Sequence, residues 1–259
     1  MSGNEASPDR AAWRRLLWPG AFTVVALVVL AALGVWQLQR LAWKEDLVAR
    51  IEARVRAAPE AMPPEATWAT TRWADAEYRP LLVSGTFLHE REVLVQANAV
   101  LGSGSVRMGA FVLTPLRLDE GGIVFVNRGF VPVELTRDAA AFAAWQREDR
   151  AQADAPVTVA GLLRAPQQRG WFVPQDAPDK GQWFVRDPAA LAAALGLERV
   201  APFTIDAFRD PEREGWPVGG LTVVSFPNNH LDYAFTWFGL AVVLAVIFVL
   251  FAHRRLTGR

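Results

Sequence analysis

The side chains that could do chemistry in this sequence are few. Cysteine is absent, and histidine occurs three times, as His89, His230 and His253. Without cysteine there is no disulfide, no thiolate metal site, no iron–sulfur cluster and no cysteine nucleophile. The three histidines are too far apart in sequence to suggest a multi-histidine metal cluster by spacing. Methionine stands only at positions 1, 62 and 108, so the soft ligands expected for copper(I) delivery are missing. No GxSxG, HExxH or EF-hand pattern is present. Gly102-Ser103-Gly104-Ser105 hints at a phosphate loop, but Arg107 breaks the GxGxxG pattern and no GK[ST] follows, so a hairpin or flexible loop is the better reading. Asp119 and Glu120 read as a solvated turn, His89 as a turn residue and His253 as a flank.

One segment is more informative. Pro227-Asn228-Asn229-His230-Leu231-Asp232-Tyr233-Ala234-Phe235-Thr236-Trp237-Phe238 leads into a long apolar run. It places His230 at the mouth of a membrane-like helix. A neutral imidazole nitrogen there can ligate haem iron. Trp36, Tyr233, Trp237 and Phe238 can supply aromatic walls, and Arg40 can meet a propionate. The competing reading is that His230 caps the helix or sits among headgroups.

Two elements must position these residues. Leu16–Trp36 and Tyr233–Ala252 contain no charged residue. Each is about 20 residues, roughly 30 Å as a helix, which matches a bilayer core. A buried core helix of that length would keep a polar stripe. The first run is longer than a signal-peptide core and lacks a convincing cleavage site, which favours an uncleaved anchor. Residues 1–15 carry Glu5 and Asp9 and do not resemble a mitochondrial transit peptide. Arg10, Arg14 and Arg15 precede the first run, and Arg254, Arg255 and Arg259 follow the second. Both termini are therefore expected in the cytoplasm of a bacterium, with a periplasmic domain between two inner-membrane spans. Arg40 and Lys44 argue against this, but long connections translocate largely regardless of charge. The expected organisation is a tail at 1–15, spans at 16–36 and 233–252, a periplasmic domain at 37–232 and a tail at 253–259.

Within the connection, Leu41–Ala57 reads as a helix continuing from the first span, ended by Pro59, Pro63 and Pro64. Strand patterns follow at Tyr78–Leu88, Glu92–Ala97, Met108–Leu118, Gly122–Val131, Val157–Leu163, Gln182–Arg186, Phe203–Asp206 and Leu221–Phe226. His89-Glu90-Arg91 and Asp119-Glu120-Gly121-Gly122 read as hairpin turns, so antiparallel pairing is expected. Short helices are expected at Thr136–Arg147 and Pro188–Leu195, with loops at Glu148–Pro156, Ala165–Gly181 and Arg209–Gly220. The class is an α+β membrane protein, with two transmembrane helices flanking an antiparallel sheet or barrel-like domain. The 27 basic and 27 acidic residues balance, so there is no global electrostatic case for nucleic-acid binding.

Several blocks resemble a known family. Gly34-Val35-Trp36-Gln37-Leu38-Gln39-Arg40-Leu41-Ala42-Trp43-Lys44 resembles the first signature of the surfeit-locus-one (Surf-type) cytochrome c oxidase assembly proteins. Tyr78-Arg79-Pro80 with Gly85-Thr86-Phe87, then Val126-Asn127-Arg128-Gly129-Phe130-Val131-Pro132, then Gly161-Leu162-Leu163-Arg164 and Pro202-Phe203 continue the likeness. Residues 228–238 close it. The resemblance implies a non-enzymatic assembly factor of the haem–copper oxidase, acting while haem a is installed in the catalytic subunit. It implies transient haem a binding, with His230 as the candidate iron ligand. The oxidase catalytic subunit, membrane lipid and the haem a synthesis machinery are the implied partners.

Two rival readings stand beside it. One is a cofactor-free scaffold that holds the nascent oxidase subunit through a tryptophan-rich domain surface. For most of those tryptophans, core packing is the competing account. The other is an unrelated two-anchor protein, such as a periplasmic sensor or a chain-length regulator. The regulator requires long heptad helices in the loop, where this sequence shows strands.

Overall fold

The first apolar run forms part of one long helix in the computed structural model, α1, Pro8–Val55. The described residues are 8–101, 104–150, 155–221 and 228–257, with side chains from residue 16 onward. Contacts divide the chain into two units, one of residues 1–50 with 225–259 and the other of residues 51–224.

The first unit holds α1 to residue 50 and the last helix, α6, His230–Thr257. Both are long and apolar enough to cross a membrane. Their most apolar windows are 11% and 6% buried, which sets them apart from core helices of a soluble protein. Valine is a modest helix former, but in hydrocarbon a helix is the one way a single segment satisfies its own backbone. The exposed faces carry Phe22, Val24, Val25 and Val28 on α1, and Phe235, Val242, Val246 and Ile247 on α6. Leu16, Thr23, Gly34 and Gln37 are buried on α1, and Ala234 on α6. That is a stripe at helical spacing, the seam of a packed pair. The helices run antiparallel, since Gly20 lies opposite Phe248 and Gly34 opposite Phe238. A Cβ on Gly34 would stand 2.6 Å from Phe238 Cζ, so the seam is tight at that level.

In the second unit, Arg54 at the end of α1 donates to the carbonyls of Asp75 and Glu77. Seven strands follow: β1 (Glu60–Ala61), β2 (Pro80–Phe87), β3 (Val93–Leu101), β4 (Ser105–Leu118), β5 (Ile123–Pro132), β6 (Val157–Arg164) and β7 (Val200–Ala207). The helices among them are α2 (Trp73–Ala76), α3 (Val133–Arg137), α4 (Ala139–Arg150) and α5 (Pro188–Leu195). The strand order is β1-β2-β6-β7-β5-β4-β3, with a further β2–β4 pairing. That pairing closes β2, β6, β7, β5 and β4 into a ring, so the domain is barrel-like. Closure needs Gly85, whose missing Cβ would lie 2.0 Å from the Arg117 carbonyl oxygen. The interior is filled by Leu81, Val83, Leu116, Val124, Val126, Phe203 and Ile205, with Trp68 and Trp73 beneath.

Several sequence expectations change. The His89-Glu90-Arg91 turn does not join a hairpin. β2 pairs β4 at Gly85–Phe87, and β3 pairs β4 at Val93–Leu101. β4 is long enough to serve both in succession. β5 and β7 pair in parallel, because α3, α4, β6 and α5 intervene and make a crossover. Gln182–Arg186 is not a strand; its bridges are Trp183 with Val95 and Gln182 with Ala177. The helix expected at Thr136–Arg147 is two, broken at Asp138, whose carboxylate accepts from the amides of Ala140 and Ala141. Most of the expected strand Leu221–Phe226, and the Gly102-Ser103 pair, lie outside the described residues. β3 and β4 pair up to Leu101 and Ser105, so a hairpin joins them.

Candidate functional site

His230 is the first residue of α6 and is half-buried. Its Nδ1 lies 2.8 Å from Oε1 of Gln37, which is buried on α1. The close approach at Gly34, one turn earlier, brings this pair within reach. Trp237 is two turns further along α6, on the same face as His230. Its indole nitrogen is buried without a hydrogen-bond partner. Tyr233 and Trp36 are exposed, at 55% and 53%, and face outward. Arg40 does not join His230; its guanidinium stacks on Trp43 at 3.9 Å. The candidate residues are therefore brought together only in part. Gln37 is the contact that sequence reasoning missed, although it lies inside the first signature block.

A second polar centre is buried in the strand domain. Arg128 stands at a bulge in β5, where Val112 pairs Gly129 and Leu113 pairs Asn127. The bulge re-aims its side chain. Its guanidinium donates to both oxygens of Asp149, at 2.6 and 2.7 Å, and to Glu92 at 3.2 Å. It also reaches Nδ1 of His89 at 3.4 Å. Arg213 binds Asp149 as well, and Thr114 donates to Glu92 at 2.8 Å. His89, Glu92 and Asp149 lie close enough to hold a metal ion, but the cation among them is Arg128. His89 is thus a turn residue, opening the 3-10 turn His89–Arg91, that is also a buried member of an ionic cluster, and Asp149 belongs to α4 rather than to the expected loop Glu148–Pro156.

Burial pushes the Glu92 carboxyl above its ordinary range, against the Thr114 hydrogen bond and the charge of Arg128. Burial also works to raise Asp149, but hydrogen bonds and charge from Arg128 and Arg213 outweigh it, and that carboxyl lies below its ordinary range. Burial, then the charge of Arg128, pushes His89 below 6.5. Below pH 6.5 the unfolded chain therefore takes up a proton that the folded chain refuses, and stability falls with pH. Glu92 acts in the opposite sense, losing stability as pH rises from 4.5 toward its raised value. Thermal melting of the full chain in detergent between about pH 7.5 and 5.5 should show a steeper acid-side loss for wild type than for His89→Gln. Equal slopes would remove His89 from the buried network.

Asp206 centres a neighbouring network. It accepts from Asn127, Arg164 and Arg186, each at 2.9 Å, while Asn127 Oδ1 accepts from the Gly129 amide. The Asn127-Arg128-Gly129 block thus builds two buried networks and a close backbone contact. It offers no nucleophile paired with a base.

Of the tryptophans proposed for a docking surface, Trp68, Trp73 and Trp183 are core residues. Trp145 and Trp216 pack on a third cluster. Trp171 is fully exposed beside Phe172.

The two helices and the ring between them carry the same ordered blocks that the sequence displayed. A family model described as the SURF1 family matches residues 24–242, from inside α1 to inside α6. Surfeit locus protein 1 of Homo sapiens is 33% identical over 227 residues, covering 83% of this chain and 71% of that protein. Surfeit locus protein 1 of Xenopus tropicalis is 32% identical over 249 residues, covering 91% and 74%. A SURF1-like protein of Monosiga brevicollis is 33% identical over 230 residues, covering 86% and 83%. A match that reaches into both helices and covers every strand of the ring leaves one assignment: the chain belongs to the SURF1 family.

Proposed function

We propose that this chain is an assembly factor for haem–copper cytochrome c oxidase that holds haem a beside its helix pair and passes it to the catalytic subunit. The observation that carries the proposal is His230, fixed at the start of α6 by a 2.8 Å hydrogen bond to buried Gln37. The donor set fits the group: one imidazole, an orphaned indole N–H on the same face at Trp237, and exposed aromatic residues at Trp36 and Tyr233. Haem a, when bound, would supply an iron for a single imidazole, and His230 would be the residue that holds it. Arg40 carries a cation one turn beyond Trp36, where a propionate can exchange for its stack on Trp43. No reaction is assigned to the chain. The proposed setting is a bacterial inner membrane, with both termini cytoplasmic and residues 37–232 periplasmic, by the arginines that flank the spans. The proposed partners are the oxidase catalytic subunit, membrane lipid and the haem a synthesis machinery.

The test is an optical spectrum of the detergent-purified full chain, co-expressed with a haem a biosynthesis pathway. Wild type should carry haem a, and His230→Ala should lose it with both helices intact by circular dichroism. Equal haem content in the two proteins would sink the assignment.

One observation favours a scaffold reading instead. Trp171 and Phe172 are fully exposed on a loop pinned by the Arg169–Asp176 ion pair. Such aromatic side chains are characteristic of docking surfaces. Co-purification with the oxidase subunit that survives His230→Ala, and is lost on Trp171→Ser with Phe172→Ser, would favour the scaffold.

A further inference from the structure

We infer that Gln37 is the positioning residue for His230, holding the imidazole proton on Nδ1 and leaving Nε2 as the nitrogen that meets iron. The inference rests on the haem reading above and goes beyond it, because it assigns a role to a residue on the opposite helix.

The argument begins with the seam. Gly34 has no Cβ, and Phe238 lies over it within 2.6–2.9 Å of where that Cβ would be. α1 and α6 are therefore close at this level, and the next seam residue on α1 is Gln37. Gln37 is only 8% exposed, an unusual burial for a side-chain amide beside an apolar span. Its Oε1 faces His230 Nδ1 at 2.8 Å. A carbonyl oxygen can only accept, so in a neutral imidazole the shared proton belongs to Nδ1. Nε2 then keeps its lone pair. A fixed second-shell acceptor orients the ring and makes the opposite nitrogen a better ligand. The reverse amide orientation would donate to Nδ1, move the ring proton to Nε2 and block it. The orientation of one amide thus decides which ring nitrogen of His230 carries the proton in the haem-free chain.

Two measurements test this, the first without haem. In the haem-free full chain labelled with 15N-histidine, the His230 signals should report a protonated Nδ1 and a bare Nε2. The opposite tautomer would overturn the inference and leave the haem reading standing. In the second, ferrous haem a is loaded onto wild type, Gln37→Leu and Gln37→Glu. Gln37→Leu should weaken haem retention by about 10–100-fold, the usual cost of a lost second-shell partner. Gln37→Glu, a stronger acceptor when ionised, should retain haem and raise the iron–histidine stretching frequency above wild type. An unchanged frequency in Gln37→Glu would reduce Gln37 to a clasp between helices and overturn the inference. The glutamate arm stands even if Gln37→Leu loosens the helix pair. Wild type without haem a, or His230→Ala that keeps it, would bring down the haem reading and this inference with it.

Discussion

Replacing Arg128 with methionine is expected to cost the strand domain about 3–5 kcal/mol, the price of leaving buried charge without its partner. The substitution keeps an unbranched apolar stem, shorter than arginine and without the guanidinium that lies 5.2 Å from the Phe87 ring. What it removes is the positive charge between Asp149 and Glu92, whose side chains are 2% and 4% exposed. Glu92 can escape by taking up a proton, since burial already pushes its carboxyl up. Asp149 cannot escape so easily, and Arg213 is the arginine left beside it among the described residues. Asp149→Asn in the Arg128→Met background should therefore recover part of the loss. The measurement is the urea midpoint of the full chain in detergent, followed by tryptophan fluorescence. A loss below about 1 kcal/mol would mean that these charges behave as a surface pair.

Gly129→Ala is expected to be comparably damaging, for a reason of backbone rather than charge. Gly129 has φ of 138°, a conformation that L side chains rarely adopt. Its missing Cβ would stand 2.4 Å from the carbonyl carbon and oxygen of Val218. Strain of about 1–3 kcal/mol therefore combines with about 1–3 kcal/mol for the forced shift of packed backbone. The shift falls on the segment that pairs Phe130 with Val218 and carries Arg213. Moving that segment should also weaken the Arg213–Asp149 pair. The two substitutions should therefore couple, with Arg128→Met plus Gly129→Ala departing from the sum of the singles by more than about 0.5 kcal/mol. Strict additivity would show that the bulge and the ionic cluster are independent.

Apolar runs, turn chemistry and side-chain alternation were legible along the chain because each is a local property. The two spans, the helix running on from the first, α5 at Pro188–Leu195 and most strand positions follow from such local patterns. His230 also stood out locally, as an ionisable residue where an apolar helix begins. Arg128, Asp149 and His89 did not, because their meaning depends on partners 21 to 39 residues away from Arg128 and on a bulge without a sequence signature. The same holds for β2 and β3. Their hairpin-like spacing says nothing of a third strand long enough to pair both in turn.

The sequence by itself determined the two apolar helices, the strand-rich region between them and the histidine at their junction. Hydrophobic transfer and backbone self-satisfaction act residue by residue, so composition is enough to specify them. Only the tertiary structure decided that the sheet closes at Gly85, that Arg128 fills the place a metal ion could take, and that Gln37 meets His230. These depend on approaches of a few ångströms between distant segments, where one missing Cβ or one buried charge selects among packings that the local pattern leaves open.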